Sequence, residues 1–204
     1  MSMHLTIITG SHRTKGESTR VGRYVETQLK AMGHEVAFMD AGAMDVPFWD
    51  EGVWGVDGLK DKWAKLWAPH AATLQATDGV VVVVPEYAGM VPSKLKNFLL
   101  LCSAAELGHK PGMIVSVSSS INGAYPVAEL RAHAVKNSKL VWTPEHIIIR
   151  NVADMLGAEV KGEHDQALRD RMAFALGVLV EYAKALKPMR AGGKVMDNRY
   201  PYGM

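Results

Sequence analysis

Residues 79–84 read GVVVVV, with Asp78 before the run and Pro85 after it. A stretch this short, β-branched and apolar at nearly every position has no polar face to offer water, so it predicts a strand covered on both sides. That requirement excludes a solvent-facing antiparallel sheet and points to parallel strands between two layers of helices. The rest of the chain agrees. Further strands are predicted at 5–9, 35–39, 113–117 and 146–149. Between them apolar residues recur at helical spacing: Val21, Val25, Leu29 and Met32 before Gly33, then Leu95, Phe98, Leu99 and Cys102 after a Pro92-Ser93 start and before Gly108. A helix over about 59–76, interrupted at Pro69, and a last one over about 165–186, ending near Pro188, complete the alternation. Five strands joined in this way allow a doubly wound α/β sheet in the order 2-1-3-4-5, with helices on both faces.

At 204 residues the chain fits one domain, expected over 1–189, followed by a surface arm over 190–204 that is rich in glycine and aromatic residues and lacks periodicity. The 23 Lys and Arg against 21 Asp and Glu leave a net charge of +2, too small to argue for a nucleic-acid or membrane-surface partner. The lone Cys102 cannot form an internal disulfide and sits in a helical apolar stripe, so it is read as core packing in a reduced, cytoplasmic protein. No basic leader with a long apolar stretch is read at the start, and no apolar run is long enough to span a bilayer. Trp49, Trp54, Trp63 and Trp67 crowd into 43–69, where core filling and a place at a pocket rim or subunit contact are both open.

In a sheet of this order ligands bind beyond the carboxyl ends of the strands, where the order reverses between the first and third. The loops there are 10–16, 85–91 and 118–124. The first, GSHRTKGEST, runs into a helix and gathers two glycines, the hydroxyls of Ser11, Ser18 and Thr19 and the Arg13 guanidinium at a helix N-terminus. Free N–H groups and the helix dipole favour an anion there, and this predicts a phosphate site that His12 is placed to join. Ser18 or Thr19 capping the helix beside a solvated Arg13 would account for the same residues. No Lys-Ser or Lys-Thr follows the second glycine and Gly10 is not followed by x-Gly, which excludes a Walker A loop and the dinucleotide fingerprint. The acidic cluster and the strand-3 Asp that response-regulator chemistry needs are absent, and the eight His show no zinc spacing.

The second loop carries the most specific pattern. PEYAGMVPSKLKN resembles the Pro-Glu-Tyr-Asn-Gly-Ser-x-Pro-x-x-Leu-Lys-Asn signature of the NADPH-dependent FMN reductase family, flavodoxin-like enzymes that include quinone, azo and chromate reductases. Pro85, Glu86, Tyr87, Gly89, Pro92, Leu95, Lys96 and Asn97 match it, and Gly10-Ser11, Arg13 and Ser18-Thr19-Arg20 are similar to that family's phosphate site. The resemblance covers roughly 3–157. It implies that Ser11, Arg13, Ser18 and Thr19 hold the FMN phosphate. It also implies that Pro85, Glu86, Tyr87, Ala88 and Gly89 face the isoalloxazine ring, mainly through backbone, and that Ser118, Ser119, Asn122 and Gly123 close over the other side. Tyr87 would shape the acceptor slot as the catalytic ring-side group, or simply pack there. The chain departs from the signature at Ala88 and Met90, where the family has Asn and Ser, and keeps one glycine of a usual pair at Asn122-Gly123. Its phosphate loop is a residue or two longer than usual, which leaves Glu17 and Ser18 both open as the phosphate-facing residue.

The resemblance therefore implies an FMN-dependent oxidoreductase that passes hydride from NADPH or NADH, through bound FMN, to a small acceptor such as a flavin, quinone, azo compound or metal oxyanion. It implies a homodimer or homotetramer as well, and no metal is expected. Two other readings use the same residues. One is a flavodoxin-like electron carrier, against which the net charge of +2 speaks because such carriers dock through acidic faces. The other is a flavin-free scaffold that keeps only the anion pocket.

Overall fold

The structure, a computed structural model, describes residues 1–54, 59–197 and 199–202, without the side chains at 54, 59, 60 and 62; the expectation for Trp54 lies outside the described side chains. Five strands, β1 (His4–Thr9), β2 (Glu35–Asp40), β3 (Gly79–Pro85), β4 (Pro111–Val117) and β5 (Val141–Ile149), form one sheet in the order β2-β1-β3-β4-β5. Every neighbouring pair runs parallel. The helices are α1 (Glu17–Ala31), α2 (Leu59–Ala76), α3 (Ser93–Leu101), α4 (Ala104–Leu107), α5 (Ala124–His133) and α6 (Gly162–Ala191).

β3 is buried along its whole length, as its sequence requires. Val81 and Val83 join one core with Val21 and Val25 of α1 and Leu176 of α6, while Val80, Val82 and Val84 join the other with Leu74 of α2 and Leu95 and Phe98 of α3. Side chains that alternate across a pleated strand thus serve two separate cores. Each buried valine is worth roughly 1.5–3 kcal/mol relative to exposure, so the strand anchors both layers and fixes where its two ends lie.

Four elements differ from the expectation. The helix expected to run on toward Gly108 breaks at Cys102, which is extended (φ −77°, ψ 127°). Ser103 restarts it with a capping box: its hydroxyl accepts from Ala105 N–H, and the Glu106 carboxylate accepts from Ser103 N–H at 2.8 Å. Pro69 does not interrupt α2. It lies on the exposed face, where one hydrogen bond is lost without evicting a core side chain, and the buried Trp67, Ala71 and Leu74 hold the helix on both sides of it. α6 likewise runs past Pro188, because Lys187 and Arg190 fasten its last turns to Asp78 at 2.8 and 3.2 Å. β5 starts five residues early, since Val141 and Trp142 pair with Pro111 and Gly112 ahead of an irregularity in register; Pro144 masked that strand in the sequence.

Trp67 is core, packed edge-on against Phe98 at 5.5 Å. The arm after α6 lies on its own domain, with Val195 C=O 3.1 Å from His109 Nε2 and Tyr200 C=O accepting from Lys139 Nζ at 2.7 Å.

Candidate functional site

The carboxyl ends of β1, β3, β4 and β5 open onto a cleft of about 680 Å³, well within the size range of cofactor sites. Its first wall is the loop after β1. Gly10 N–H donates to Val83 C=O at 3.0 Å, so the loop leaves the sheet beside the central strand. A Cβ at Gly10 would stand 2.5 Å from Leu95 Cδ2, which shows what the signature leucine does: it seats this loop from below. Gly16 folds back onto Ser11, and a Cβ there would come within 2.2 Å of Ser11 Oγ. Gly42, beyond β2, presses on the Ser11 carbonyl from outside.

Ser11 is buried and its hydroxyl accepts from Arg13 N–H at 3.3 Å. No side chain caps α1. The N-terminal amides of that helix keep their anion-binding capacity, which argues against the simple capping reading of Ser18 and Thr19. Ser18 is 1% exposed, lines the cleft and has no hydrogen-bond partner for its hydroxyl among the described residues. An orphaned buried hydroxyl costs about 1–3 kcal/mol, and an anion in the cleft is the partner that would satisfy it. Together with the Gly16 cradle, that orphan is the observation by which a phosphate group fits this wall.

Thr19 and Arg20 serve otherwise. The Thr19 hydroxyl donates to Asp40 at 3.4 Å, toward β2, and Thr19 does not line the cleft. Arg20 donates to the carbonyls of Val152, Met155 and Leu156 at 2.6 to 3.0 Å, locking α1 to the loop after β5. It also pairs with Glu17, whose carboxylate is thereby engaged although Glu17 lies on the wall. His12, Arg13 and Lys15 give the cleft mouth a basic rim.

The second wall is the turn after β3. Tyr87 and Met90 exchange two backbone hydrogen bonds of 3.0 Å, which closes a two-residue turn with Ala88 at φ 50° and Gly89 at φ 75°. Successive left-handed residues make the tight reversal of the hairpin type. Tyr87 reaches across to the first wall, its hydroxyl 2.8 Å from Ser11 Oγ. Pro85, Glu86, Tyr87 and Ala88 line the cleft, with Met90 and Val91 beyond them.

The third wall is tied to the second by a carboxylate. Glu86 accepts from Gly123 N–H at 2.7 Å, and Gly123 C=O accepts from Ser116 Oγ at 2.6 Å. Gly123 has φ 109°, and a Cβ there would meet Ile148 Cγ2 at 2.7 Å, so only glycine fits. Ser119 lines the cleft, the buried Ser118 hydroxyl accepts from Ser120 N–H at 3.3 Å, and Asn122 is exposed on the loop away from the wall.

The signature residues after the turn brace it, and Pro92 and Lys96 also line the cleft. Lys96 pairs with Glu129 at 2.5 Å, Glu129 also accepts from Val91 N–H at 2.8 Å, and Asn97 bridges Trp49 N–H and Pro47 C=O at 3.0 and 2.9 Å. Burial pushes the Glu129 carboxyl upward, but Lys96 and the Val91 amide outweigh it and hold its pKa below the usual carboxylate value. Among the described residues no group of three or more His, Cys, Asp or Glu is placed to hold a metal ion. Sequence reasoning missed Gly42 and Val152, which carry no local signal for this site, and passed over Lys15 within the loop it singled out.

The model of the NADPH-dependent FMN reductase family matches residues 3–154. An NADPH azoreductase of Bacillus sp. (strain OY1-2) is 29% identical over 122 residues, 59% of this chain and 62% of that relative's length. Among solved structures, the flavoenzyme NAD(P)H:(acceptor) oxidoreductase FerB from Paracoccus denitrificans superposes with a TM-score of 0.66 at 16% identity, covering 90% of this chain and 98% of that one. An FMN-dependent NADH-azoreductase from Bacillus anthracis str. Ames Ancestor, in complex with FMN, gives 0.58 at 16% identity over 90% of this chain and 100% of that one. At such identities the structures establish a shared fold.

Proposed function

The chain belongs to the NADPH-dependent FMN reductase family, and on that premise we propose that it is an FMN-dependent oxidoreductase moving hydride from NAD(P)H to a small acceptor. One observation carries the reading. The loop after β1 and the turn after β3 meet across a single cleft, through the 2.8 Å contact of Ser11 with Tyr87, and the buried Ser18 hydroxyl beside them lacks a partner among the described residues. When bound, FMN supplies the two-electron chemistry, accepting hydride from NAD(P)H and handing the pair to the acceptor. The protein supplies binding and orientation. Ser11, Ser18, Arg13 and the α1 amides would hold the phosphate. The 85–89 backbone would lie against the ring edge, where a main-chain turn with few intruding side chains suits a flat group, and Ser119 with the Gly123 loop would bound the opposite side. No side chain is required as a nucleophile.

The acceptor is a small molecule, and the basic rim of His12, Arg13 and Lys15 is the opposite of the acidic face through which a flavodoxin-like carrier docks on its protein partners. The buried, unpaired Cys102 suits a reducing compartment, and we place the protein in the cytoplasm as a homo-oligomer. The test is anaerobic mixing of the FMN-loaded protein with NADPH or NADH, followed by a flavin, a quinone, an azo dye or a metal oxyanion. Bleaching by a nicotinamide and recovery by at least one acceptor is expected. A yellow protein inert to both nicotinamides would indicate a carrier, and a protein that stays colourless with FMN would indicate a scaffold.

A further inference from the structure

Tyr87 belongs to the turn after β3, yet the contacts of its side chain are with the loop after β1. Its hydroxyl lies 2.8 Å from Ser11 Oγ, its ring stands edge-on to His12 at 5.1 Å, and the Arg13 guanidinium sits over that ring at 4.6 Å. Three consecutive residues of the proposed phosphate loop are thus ordered by one aromatic side chain. We infer that Tyr87 is a positioning residue for the anion end of the cleft and that through it the protein selects FMN over the unphosphorylated flavin. The inference rests on the flavin reading above and moves Tyr87 away from the acceptor slot.

Hydrogen-bond arithmetic supports the assignment. Ser11 Oγ already accepts from Arg13 N–H and shares one further bond with the Tyr87 hydroxyl. The two hydroxyls carry two protons and their mutual bond uses one. Whichever of them donates, the other O–H is left for an incoming anion. The partnerless Ser18 hydroxyl supplies a second donor. The Arg13 side chain makes no hydrogen bond or ion pair among the described residues, so its guanidinium rests on the ring with its donors unspent. These donors are arranged before any ligand arrives, and a flavin that lacks the phosphate gains nothing from them.

The experiment titrates flavin-free protein with FMN and with riboflavin, following flavin fluorescence, for the wild type, Tyr87→Phe and Tyr87→Leu. Phenylalanine keeps the platform under Arg13 and deletes the hydroxyl; leucine deletes both. Tyr87→Phe is expected to weaken FMN about threefold to tenfold, the scale of one lost hydrogen bond, and Tyr87→Leu by about a further threefold. Riboflavin affinity should stay within about twofold in both variants, because a flavin without the phosphate makes none of these contacts. A loss shared equally by FMN and riboflavin would place Tyr87 against the ring and overturn the inference, as would unchanged FMN affinity in both variants. If Tyr87→Leu fails to fold by circular dichroism, the FMN-to-riboflavin ratio of Tyr87→Phe alone decides. Wild-type protein that binds neither flavin overturns the flavin reading itself, an outcome distinct from wild-type binding with unaltered variants.

Discussion

Replacing Gly42 by alanine tests the architecture of the proposed phosphate loop from outside the cleft. Gly42 follows β2 in a turn where Asp40 C=O accepts from Ala43 and Met44 N–H at 3.0 Å each, and its own carbonyl accepts from Lys94 Nζ at 3.0 Å. A Cβ there would lie 1.7 Å from Ser11 O, 2.3 Å from Ser11 C and 2.8 Å from His12 N. A carbon and a carbonyl oxygen tolerate about 3.3 Å, so the overlap is on the order of 1.5 Å. The opposing atoms are backbone, and no rotamer change relieves them. The turn or the Ser11 segment must therefore move. Gly42 needs no left-handed φ, so propensity alone would make alanine slightly stabilising, and sterics decide the sign. Overpacking of this kind costs about 1–3 kcal/mol, which lowers the melting temperature of a chain this size by about 3–9 °C. Displacing Ser11 from Ser18 should also weaken FMN about tenfold, the scale of one charge-assisted hydrogen bond. Thermal melts and FMN titrations read the two effects. Gly177→Ala is the control: nothing lies within 4 Å of its added Cβ inside α6, so a gain of about 0.5 kcal/mol and unchanged FMN affinity are expected. Gly42→Ala melting at or above the wild type with unaltered FMN affinity would refute the packing of this turn on the phosphate loop.

Three other perturbations probe separate parts. Ala88 pays for a left-handed φ of 50° that asparagine tolerates better, so Ala88→Asn should raise the melting temperature by about 2–4 °C, near 1 kcal/mol; a lower value would refute the turn geometry. Glu86→Ala strands the buried Gly123 amide and should speed its hydrogen exchange, whereas Glu86→Gln keeps an acceptor and should not; equal exchange in both would show that the carboxylate does not tie the two loops. Burial alone would raise the pKa of the fully buried Asp165, but the Leu156 and Lys161 amides and Arg169 hold it below the usual carboxylate value. Its unfolded form therefore binds more protons than its folded form once the pH drops below about 4, so its stabilising contribution is complete above that pH and is lost as the pH falls further. Urea melts at pH 7 and pH 3 should show a smaller pH dependence for Asp165→Asn, and an unchanged dependence would remove Asp165 from the account.

The fold was legible where one residue type dictated its surroundings. The all-valine strand demanded cover on both faces, and the alternation around it left few sheet orders. Pro69 and Pro188 misled because each lies on an exposed face, where the lost hydrogen bond and local kink that proline imposes leave the buried contacts of the helix in place. The break at Cys102 was readable from the Ser103-to-Glu106 capping box, which the apolar stripe through Cys102 concealed. In the candidate site, the loop after β1 stood out because glycines, hydroxyls and an arginine cluster within a few residues, and the turn after β3 because it resembles the family signature; the structure brings both to one cleft. What each of those side chains does was less legible. Thr19, which the resemblance would make a phosphate ligand, donates to Asp40, and Arg20 beside it donates to the loop after β5, a division set by contacts more than 20 residues away. Gly42 was invisible for the same reason: its need for a bare Cα arises from Ser11, 31 positions earlier.

The central claim is that two loops of one sheet edge hold a flavin phosphate, and the most direct measurement is an FMN titration of the wild type beside Arg13→Ala. Arg13 is exposed, rests over Tyr87 and enters no ion pair among the described residues, so its removal should leave the fold intact. The account predicts saturable quenching of FMN fluorescence by the wild type and an affinity about tenfold to a hundredfold weaker in the variant, the scale of a lost charge-assisted hydrogen bond. Equal affinities, or no binding by the wild type, would contradict it.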